Sequence, residues 1–398
     1  MGPLQKDFNI HAKERDRAIA LYIHIPFCLK KCPYCGFNSY RVDVLPLPQY
    51  SSCLIKEFSV VCKGLSNPKG FSALSSMYIG GGTPSLFSPG CFSKLLSQIN
   101  EHLPFDDDIE ITIEANPNTI SLDKLNGYRK AGINRLSLGV QSLSPALLKV
   151  LGREHNAEDA LRAFKDAREV GFENINIDLM FGVPGQTVND LEETLLRTME
   201  LCPEHISIYS LTLERGTGFF ELYAAAPMRS PLLPTEEVEG EMYLRAMELL
   251  TMNGYGHYEV SNFSRPGFEC RHNMAYWQGR DYLGIGAGAH SYLKDHGWGR
   301  RWWNEALPDV YMQRVLTTAS GALAGEEFLT KEMAMTEAIL TGLRLIKGMD
   351  RRLFMSRFGV YPEEALTRKW LIEDGLLSCD ELTMRLTQKG LLFLNEVF

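Results

Sequence analysis

The chain has 398 residues, 45% hydrophobic and 23% charged, proportions ordinary for a globular protein that exclude disordered, collagen-like and low-complexity architectures. A net charge of −8, from 41 basic and 49 acidic residues, argues against whole-molecule nucleic-acid binding. No apolar run approaches the roughly 18 residues of a transmembrane segment.

Residues 1–19 are polar and mixed in charge, with Lys6, Asp7, Lys13, Glu14 and Arg15 among them. They lack the apolar stretch and small-residue cleavage site of a secretory signal. A reducing cytoplasm is the expected setting, with at most peripheral contact to a membrane during function. There, cysteines are buried, reactive or metal-bound rather than paired.

Ala18 to Ile25 reads as a buried strand, with His24 as a packed histidine on it. It runs into Pro26-Phe27-Cys28-Leu29-Lys30-Lys31-Cys32-Pro33-Tyr34-Cys35-Gly36-Phe37. Pro26 and Pro33 keep this stretch out of helix and sheet, so a loop can wrap its sulfurs around an object. Six further cysteines, Cys53, Cys62, Cys91, Cys202, Cys270 and Cys379, are scattered and read as small buried side chains.

Leu47 to Cys62 reads as a helix. Ser76 to Gly80 is a short strand ending in Gly80-Gly81-Gly82-Thr83-Pro84, and Ser88 to His102 is the next helix. Ile109 to Ala115 is a strand with Glu114 near its end; Ser121 caps a helix to Ala131. Asn134 to Val140 is a strand ending at Gln141. A helical stretch to Val170 precedes the strand Ile175 to Met180, and Thr187 to Leu201 precedes the strand His205 to Tyr209. Six strands alternating with helices at about 30-residue intervals predict βα units and a parallel sheet. Periodicity leaves open whether the sheet closes partway into a barrel.

From about Pro231 the pattern changes, with a helix over Glu236 to Met252, a short strand over Gly256 to Val260 and a glycine-rich return over Tyr282 to Tyr292. Beyond Gly325 come three helices (Lys331 to Ile346, Arg351 to Phe358, Pro362 to Glu373), a hairpin over Leu376 to Leu386 and a last helix. This tail looks like a winged-helix module, read as a packing domain because its charges are mixed. The expected domains are an N-terminal segment (1–19), a barrel (20–230), a barrel extension (231–325) and a helical C-terminal domain (326–398).

Three closely spaced thiolates serve particular metals. A structural zinc wants four ligands, and no fourth stands nearby. A cubane iron–sulfur cluster normally takes four cysteines. With three, one iron keeps an open position for a small molecule.

Cys28-x3-Cys32-x2-Cys35, with Tyr34 before the last cysteine, resembles the cluster motif of radical S-adenosylmethionine enzymes. The longer string Tyr22-Ile23-His24-Ile25-Pro26-Phe27-Cys28 resembles the coproporphyrinogen III dehydrogenase-like (HemN-like) family, from about Ala20 to near the C-terminus. The resemblance implies an α/β fold, a partial six-stranded (β/α) barrel with its chemistry at the C-terminal ends of the strands. It implies a [4Fe-4S] cluster on Cys28, Cys32 and Cys35, with S-adenosylmethionine on the open iron. The pair reductively cleaves a carbon–sulfur bond to give a 5′-deoxyadenosyl radical, chemistry that belongs to the cofactors.

Bare backbone at a strand end admits the methionine part of that ligand, and the resemblance assigns contacts to Gly81, Gly82 and Thr83. Glu114 suits ribose hydroxyls or the ammonium, Gln141 sits at the same height on the next strand, and Arg153 suits the carboxylate. Asp178 interrupts an apolar strand and needs a partner. The resemblance also places Tyr22 and Tyr34 at the cofactor, Tyr34 through its backbone.

The family has a dehydrogenase branch and a heme chaperone branch. The dehydrogenases carry a further cysteine at the position of Phe37 and a longer N-terminal extension; His272-Asn273-Met274-Ala275-Tyr276-Trp277 matches a string of the chaperones. His272 is the candidate heme ligand, flanked by Tyr276 and Trp277, with Cys270 and His290 as alternatives. The expected function is a heme chaperone serving an apo-hemoprotein such as a respiratory enzyme. The alternatives are oxidative decarboxylation of coproporphyrinogen III or a radical methyl transfer. Lys30, Lys31 and Arg41 are expected to dock a flavodoxin- or ferredoxin-like electron donor; a homodimer is left open.

Overall fold

A computed structural model describes residues 18–65, 71–224, 230, 232–294, 296–319 and 321–393. The expected N-terminal segment up to residue 17 and the expected boundary at Pro231 lie outside them.

Twelve strands form one sheet. Its centre is the predicted repeat: β1 (Ala18–Ile25), β2 (Ala73–Gly81), β3 (Phe105–Ala115), β4 (Arg135–Gln141), β5 (Asn174–Phe181) and β6 (His205–Ser210) are parallel neighbours in that order. Helices α1 (Leu47–Leu65), α2 (Pro89–His102), α3 (Leu122–Lys130), α4 (Pro145–Val150), α5 (Ala157–Glu169) and α6 (Val188–Glu200) are interleaved. Ser121 caps α3 as predicted, accepting from the Lys124 amide, and Asn156 and Thr187 close capping boxes on α5 and α6.

The extension joins the same sheet at both ends. Beyond α7 (Glu236–Met252), β7 (Gly256–Glu259) and β8 (Asn262–Ser264) follow, and β8 pairs antiparallel with β6. Helix α8 (Arg271–Trp277) leads to β9 (Tyr282–Ile285), a seventh parallel strand on the far side of β1. β10 (His290–Leu293), β11 (Arg300–Asn304), α9 (Pro308–Thr317) and β12 (Leu323–Phe328) complete that side. The predicted single return over Tyr282 to Tyr292 is two strands, because Gly286 and Gly288 turn the chain at positive φ. Edge strand β12 carries Glu326 and Glu327, paired across to Arg300 and Arg301, charges that discourage further strand addition.

The C-terminal part has α10 (Lys331–Gly342), β13 (Met349–Asp350), α11 (Arg351–Phe358), α12 (Pro362–Ala365), α13 (Trp370–Glu373), β14 (Leu377–Cys379), β15 (Thr383–Leu386) and α14 (Gln388–Leu392). The helix expected over Pro362 to Glu373 is two short ones. β15 sits between β13 and β14 in a small antiparallel sheet. This is the winged-helix-like arrangement of helices and terminal ribbon.

Sheet polarity positions the site. Ile19, Leu21, Ile23 and Ile25 of β1, with Leu74, Met77 and Ile79 of β2, are fully buried in the main apolar core with Leu54, Phe58 and Leu95 of the helices. Parallel strands buried on both faces usually read as continuous apolar runs. The opposite face here is polar: Tyr22, His24, Tyr78, Thr112, Glu114, Ser137, Asn176, Asp178 and Ser207 alternate with that apolar set. Tyr209, at the C-terminal end of the same face, keeps 40% of its area, whereas Thr112, Ser137, Asn176 and Ser207 are buried.

Candidate functional site

The cysteine loop leaves β1 at Pro26 and is tied back on both sides. Phe27–Cys28 pairs with Tyr40–Arg41. The Phe219 amide donates to the Pro33 carbonyl at 2.9 Å, and Tyr34 packs on Phe219 in a second apolar cluster with Leu147, Leu151 and Leu211. Lys31 Nζ donates to the carbonyls of Phe37 (3.3 Å) and Ser39 (3.0 Å), stapling the loop internally.

Each of the three sulfurs meets a polar group. Cys28 is buried and accepts from Thr83 Oγ1 at 3.5 Å; Cys32 accepts from Arg153 Nη1 at 3.6 Å; Cys35 lies 3.8 Å from Ser39 Oγ. Burial pushes the Cys28 thiol up, with the Thr83 hydrogen bond opposing. Among the described residues no three His, Cys, Asp or Glu side chains close on a single ion. A cubane is gripped at its corners, a wider span than the ~2.3 Å bonds around one zinc.

Strand β2 ends beside this loop, as predicted for its glycines. The Gly82 amide donates to Ile25 O (2.7 Å) and the Thr83 amide to Phe27 O (2.9 Å). A Cβ on Gly82 would lie 2.7 Å from Phe27 O and 2.9 Å from Cys28 Sγ. Gly81 has φ +122°, and a Cβ there would lie 2.7 Å from the His24 ring. His24 is fixed by Asn38 O at 2.8 Å and by the Tyr22 hydroxyl at 2.9 Å.

Glu114, at the end of β3, accepts from the Gly81 amide and the Tyr78 hydroxyl, both at 3.0 Å. Its carboxyl is pushed up to about 7, first by burial and then by the charge of Asp178. Asp178 is also raised, by burial, against hydrogen bonds from Ser137 (3.0 Å) and Asn176 (2.8 Å). That answers the sequence's demand for a partner.

Arg153 reaches the cluster loop because the helical stretch predicted to Val170 breaks at Gly152, with φ +68°, between α4 and α5. Its Nη2 donates to Asn116 Oδ1 (2.6 Å) and Gly139 O (2.8 Å), and its buried Nε has no partner. A donor left without a partner beside Cys32 fits an anionic ligand at this point, and the three-thiolate set fits a cluster with one open iron. Gln141 takes φ +69°, unusual for a residue with a side chain, where β4 bulges against β5. Such strain is typical of functional sites. Tyr34, Gly81, Gly82, Thr83, Glu114, Gln141, Arg153 and the three cysteines thus gather at the C-terminal ends of β1–β4, with Tyr22 and Asp178 beneath them on β1 and β5. Sequence reasoning does not reach Asn116 and Gly139: Asn116-Pro117 reads as a turn, and Gly139 matters because its carbonyl accepts from Arg153 and a Cβ there would crowd Gln141 and Arg153.

The heme candidates lie deeper along the strands, with the His272 ring 6.2 Å from that of Tyr22. Ser76, which His272 touches, is five residues before Gly81 on β2, roughly 16 Å along the strand. Helix α8 closes this N-terminal end. His272 is buried, with Nδ1 3.3 Å from Ser76 Oγ and Nε2 3.0 Å from the Tyr276 hydroxyl, and its ring stacks on Tyr78. Burial and then Arg135 push it down to about 3, so the ring is neutral. Both nitrogens being engaged, His272 presents no lone pair outward. Tyr276 is held by His272, and the Trp277 indole lies under Arg344 at 4.5 Å. Cys270 is buried against Glu110, whereas His290 is exposed and stacked on Trp303.

The chain is similar to known proteins over nearly its whole length. Residues 22–197 match the radical SAM superfamily and residues 329–393 the HemN C-terminal domain. The chain is 38% identical to the heme chaperone HemW of Bacillus subtilis, over 95% of this chain and 97% of that one. It is 35% identical to HemW of Escherichia coli, over 95% and 97%. The mitochondrial radical S-adenosyl methionine domain-containing protein 1 of Danio rerio is 36% identical over 84% of this chain and 74% of that one. Among solved structures, coproporphyrinogen III oxidase (HemN) of Escherichia coli superposes with TM-score 0.80 at 27% identity, covering 100% of this chain and 92% of that one.

Proposed function

The chain belongs to the heme chaperone HemW family within the radical SAM superfamily, and from that membership we propose that it binds heme and delivers it to an apo-hemoprotein, such as a respiratory enzyme. The observation that carries this reading is similarity to HemW proteins over 95% of the chain. Phe37 supports it: the side chain is 67% exposed where the dehydrogenase branch places a further cysteine.

A [4Fe-4S] cluster and S-adenosylmethionine come with the superfamily and, when bound, supply one-electron cleavage of a carbon–sulfur bond. In our reading Cys28, Cys32 and Cys35 hold the cluster, and Thr83 and Arg153 stabilise two of the thiolates by donating to them. Gly81 and Gly82 let the end of β2 lie close against His24 and the cysteine loop, with their bare backbone toward the cofactor's methionine part, and the free Nε of Arg153 takes its carboxylate. Glu114 orients the Gly81 amide, and with a carboxyl near 7 it can accept from the cofactor or hold a proton. Tyr22 and Tyr34 frame the pocket, and Gln141 and Asp178 line its inner side. Lys30, exposed on the loop, docks an acidic flavodoxin- or ferredoxin-like donor. No helix among the described residues is long and apolar enough to cross a membrane; we place the protein in the cytoplasm.

Titrating heme into the purified protein and following the Soret band and transfer to an apo-acceptor tests the proposal. Absence of heme binding at micromolar concentration refutes it. The superposition on HemN favours a second reading, oxidative decarboxylation of coproporphyrinogen III. Formation of protoporphyrinogen IX in an anaerobic assay with reductant would replace the chaperone reading by that one.

A further inference from the structure

The cysteine loop is anchored from two directions. On one side the Phe219 amide holds the Pro33 carbonyl, between Cys32 and Cys35. On the other, the Asn38 side chain crosses to the barrel extension. Its Nδ2 donates to Ala287 O at 3.0 Å and to Ala306 O at 3.2 Å, partners 249 and 268 positions away in the chain. Lys31 Nζ holds the carbonyls of Phe37 and Ser39, on either side of Asn38, so this segment moves as one piece. Cys35 lies between the two anchors, and its sulfur has a long contact of 3.8 Å with Ser39 Oγ.

The far end of the bridge is itself fixed. Ala287 sits in the turn between β9 and β10. The Tyr50 hydroxyl of α1 accepts from the Ala287 amide at 2.8 Å and donates to His24 O at 2.9 Å. Glu57, two turns further along α1, accepts from the Gly286 amide at 2.9 Å, from the Tyr311 hydroxyl at 2.5 Å and from Asn304 Nδ2. Tyr50, Glu57, Asn304 and Tyr311 are all buried, where a satisfied polar network holds one geometry. Gly288 leaves room for the bridge, because a Cβ there would run into Asn38 Nδ2.

We propose that Asn38 is a positioning residue that couples the cluster loop to residues 286–288 of the extension, so that filling the cluster site and ordering that turn favour each other. The inference rests on the assignment of the cluster to Cys28, Cys32 and Cys35 and is independent of the heme reading. A loop gripped only at Pro33 leaves Cys35 free to swing. The second grip fixes both ends of the segment that carries it. A cluster that holds Cys35 in turn holds Asn38, and through it Ala287 and Ala306. Coupling between two sites is reciprocal, so each steadies the other by the same factor. The extension is then part of the wall of the cluster site.

The test uses the full chain, loaded anaerobically with iron and sulfide. Asn38→Ala keeps the carbonyl that meets His24 and removes both bonds to the extension. Its loss of iron to a chelator should be about tenfold faster, as two hydrogen bonds near the surface are worth; an unchanged rate overturns the proposal. Gly288→Ala should speed the loss when Asn38 is present and add little in Asn38→Ala. Its backbone strain at φ +75° is common to both backgrounds, so full additivity overturns the contact. Asn134→Ala removes bonds to Ile111 N (2.8 Å) and Ile109 O (2.7 Å) at the N-terminal end of β4 and controls for lost stability. It should release iron at the unmodified rate; an equal acceleration there overturns the positioning role. Amide exchange separates coupling from structural support. Loading should slow exchange over residues 286–288 severalfold in the unmodified chain and not in Asn38→Ala, and exchange indifferent to loading in the unmodified chain overturns the coupling. If the unmodified chain takes up no cluster, the assignment to the three cysteines falls, and this proposal with it.

Discussion

Replacing Gly82 by Ala isolates what bare backbone does at the cluster. Gly82 is not among the glycines at positive φ, so backbone strain plays no part and any effect is steric. The added Cβ would lie 2.7 Å from Phe27 O and 2.9 Å from Cys28 Sγ, both well inside the 3.4–4 Å of ordinary contact. Neither neighbour is the loose end of a flexible chain. Phe27 O already accepts from the Thr83 amide at 2.9 Å, and Cys28 Sγ accepts from Thr83 Oγ1. Relief therefore means displacing Cys28 from the end of β2. Overpacking of this kind costs about 1–3 kcal/mol, or about 5- to 150-fold in an equilibrium constant. The expected result is a loss of that order in S-adenosylmethionine affinity, measured by equilibrium binding, with reduced iron and sulfide per chain after anaerobic reconstitution. Gly90→Ala is the control: nothing lies within 4 Å of its Cβ position, and it should match the unmodified chain. If Gly82→Ala also keeps full cluster content and cofactor affinity, the close approach of β2 to the cluster is not what this glycine provides.

Three further outcomes are expected. Arg153→Lys keeps the charge but loses the planar fork that reaches Cys32, Asn116 and Gly139 together; S-adenosylmethionine affinity should fall about tenfold with little loss of iron, and equal affinity refutes the assignment. Glu57, buried and accepting from the Gly286 amide at 2.9 Å and the Tyr311 hydroxyl at 2.5 Å, is pushed up to about 7 by burial. The folded state therefore holds this proton more tightly than the unfolded chain, so its contribution to stability declines as pH rises from about 4.5 to about 7. Denaturant titrations should show a flatter pH dependence across that window in Glu57→Gln, and an identical slope would refute this. Lys30→Glu should slow cluster reduction by an acidic donor and weaken its salt dependence. Lys31→Glu should in addition lower cluster retention, because Lys31 holds the carbonyls of Phe37 and Ser39; reduction rates and iron content separate the two.

Much of this was legible along the chain because its signals are local. Cys28, Cys32 and Cys35 declare themselves by spacing, and the βα repeat by alternation of apolar runs with amphipathic segments. The cap at Ser121 follows from residue type alone. The six strands appear where periodicity put them, with β2 and β3 longer because Ala73 and Leu74 also pair with β1 and Phe105 with Leu74. Folding decided what depends on residues distant in sequence. The extension, read as a separate segment, supplies strands to both edges of the barrel sheet, since an unpaired edge binds whatever strand can reach it. Arg153 becomes a cluster neighbour only because Gly152 breaks a helix that looked continuous. His272 and Met274 stand two positions apart in one short motif, yet helical geometry turns the imidazole into the barrel, where Ser76 and Tyr276 occupy it, and turns Met274 to the other side of the helix, beside a groove that the C-terminal domain helps to line. Spacing specifies which atoms are covalently near; only packing specifies which side of an element remains open to a ligand.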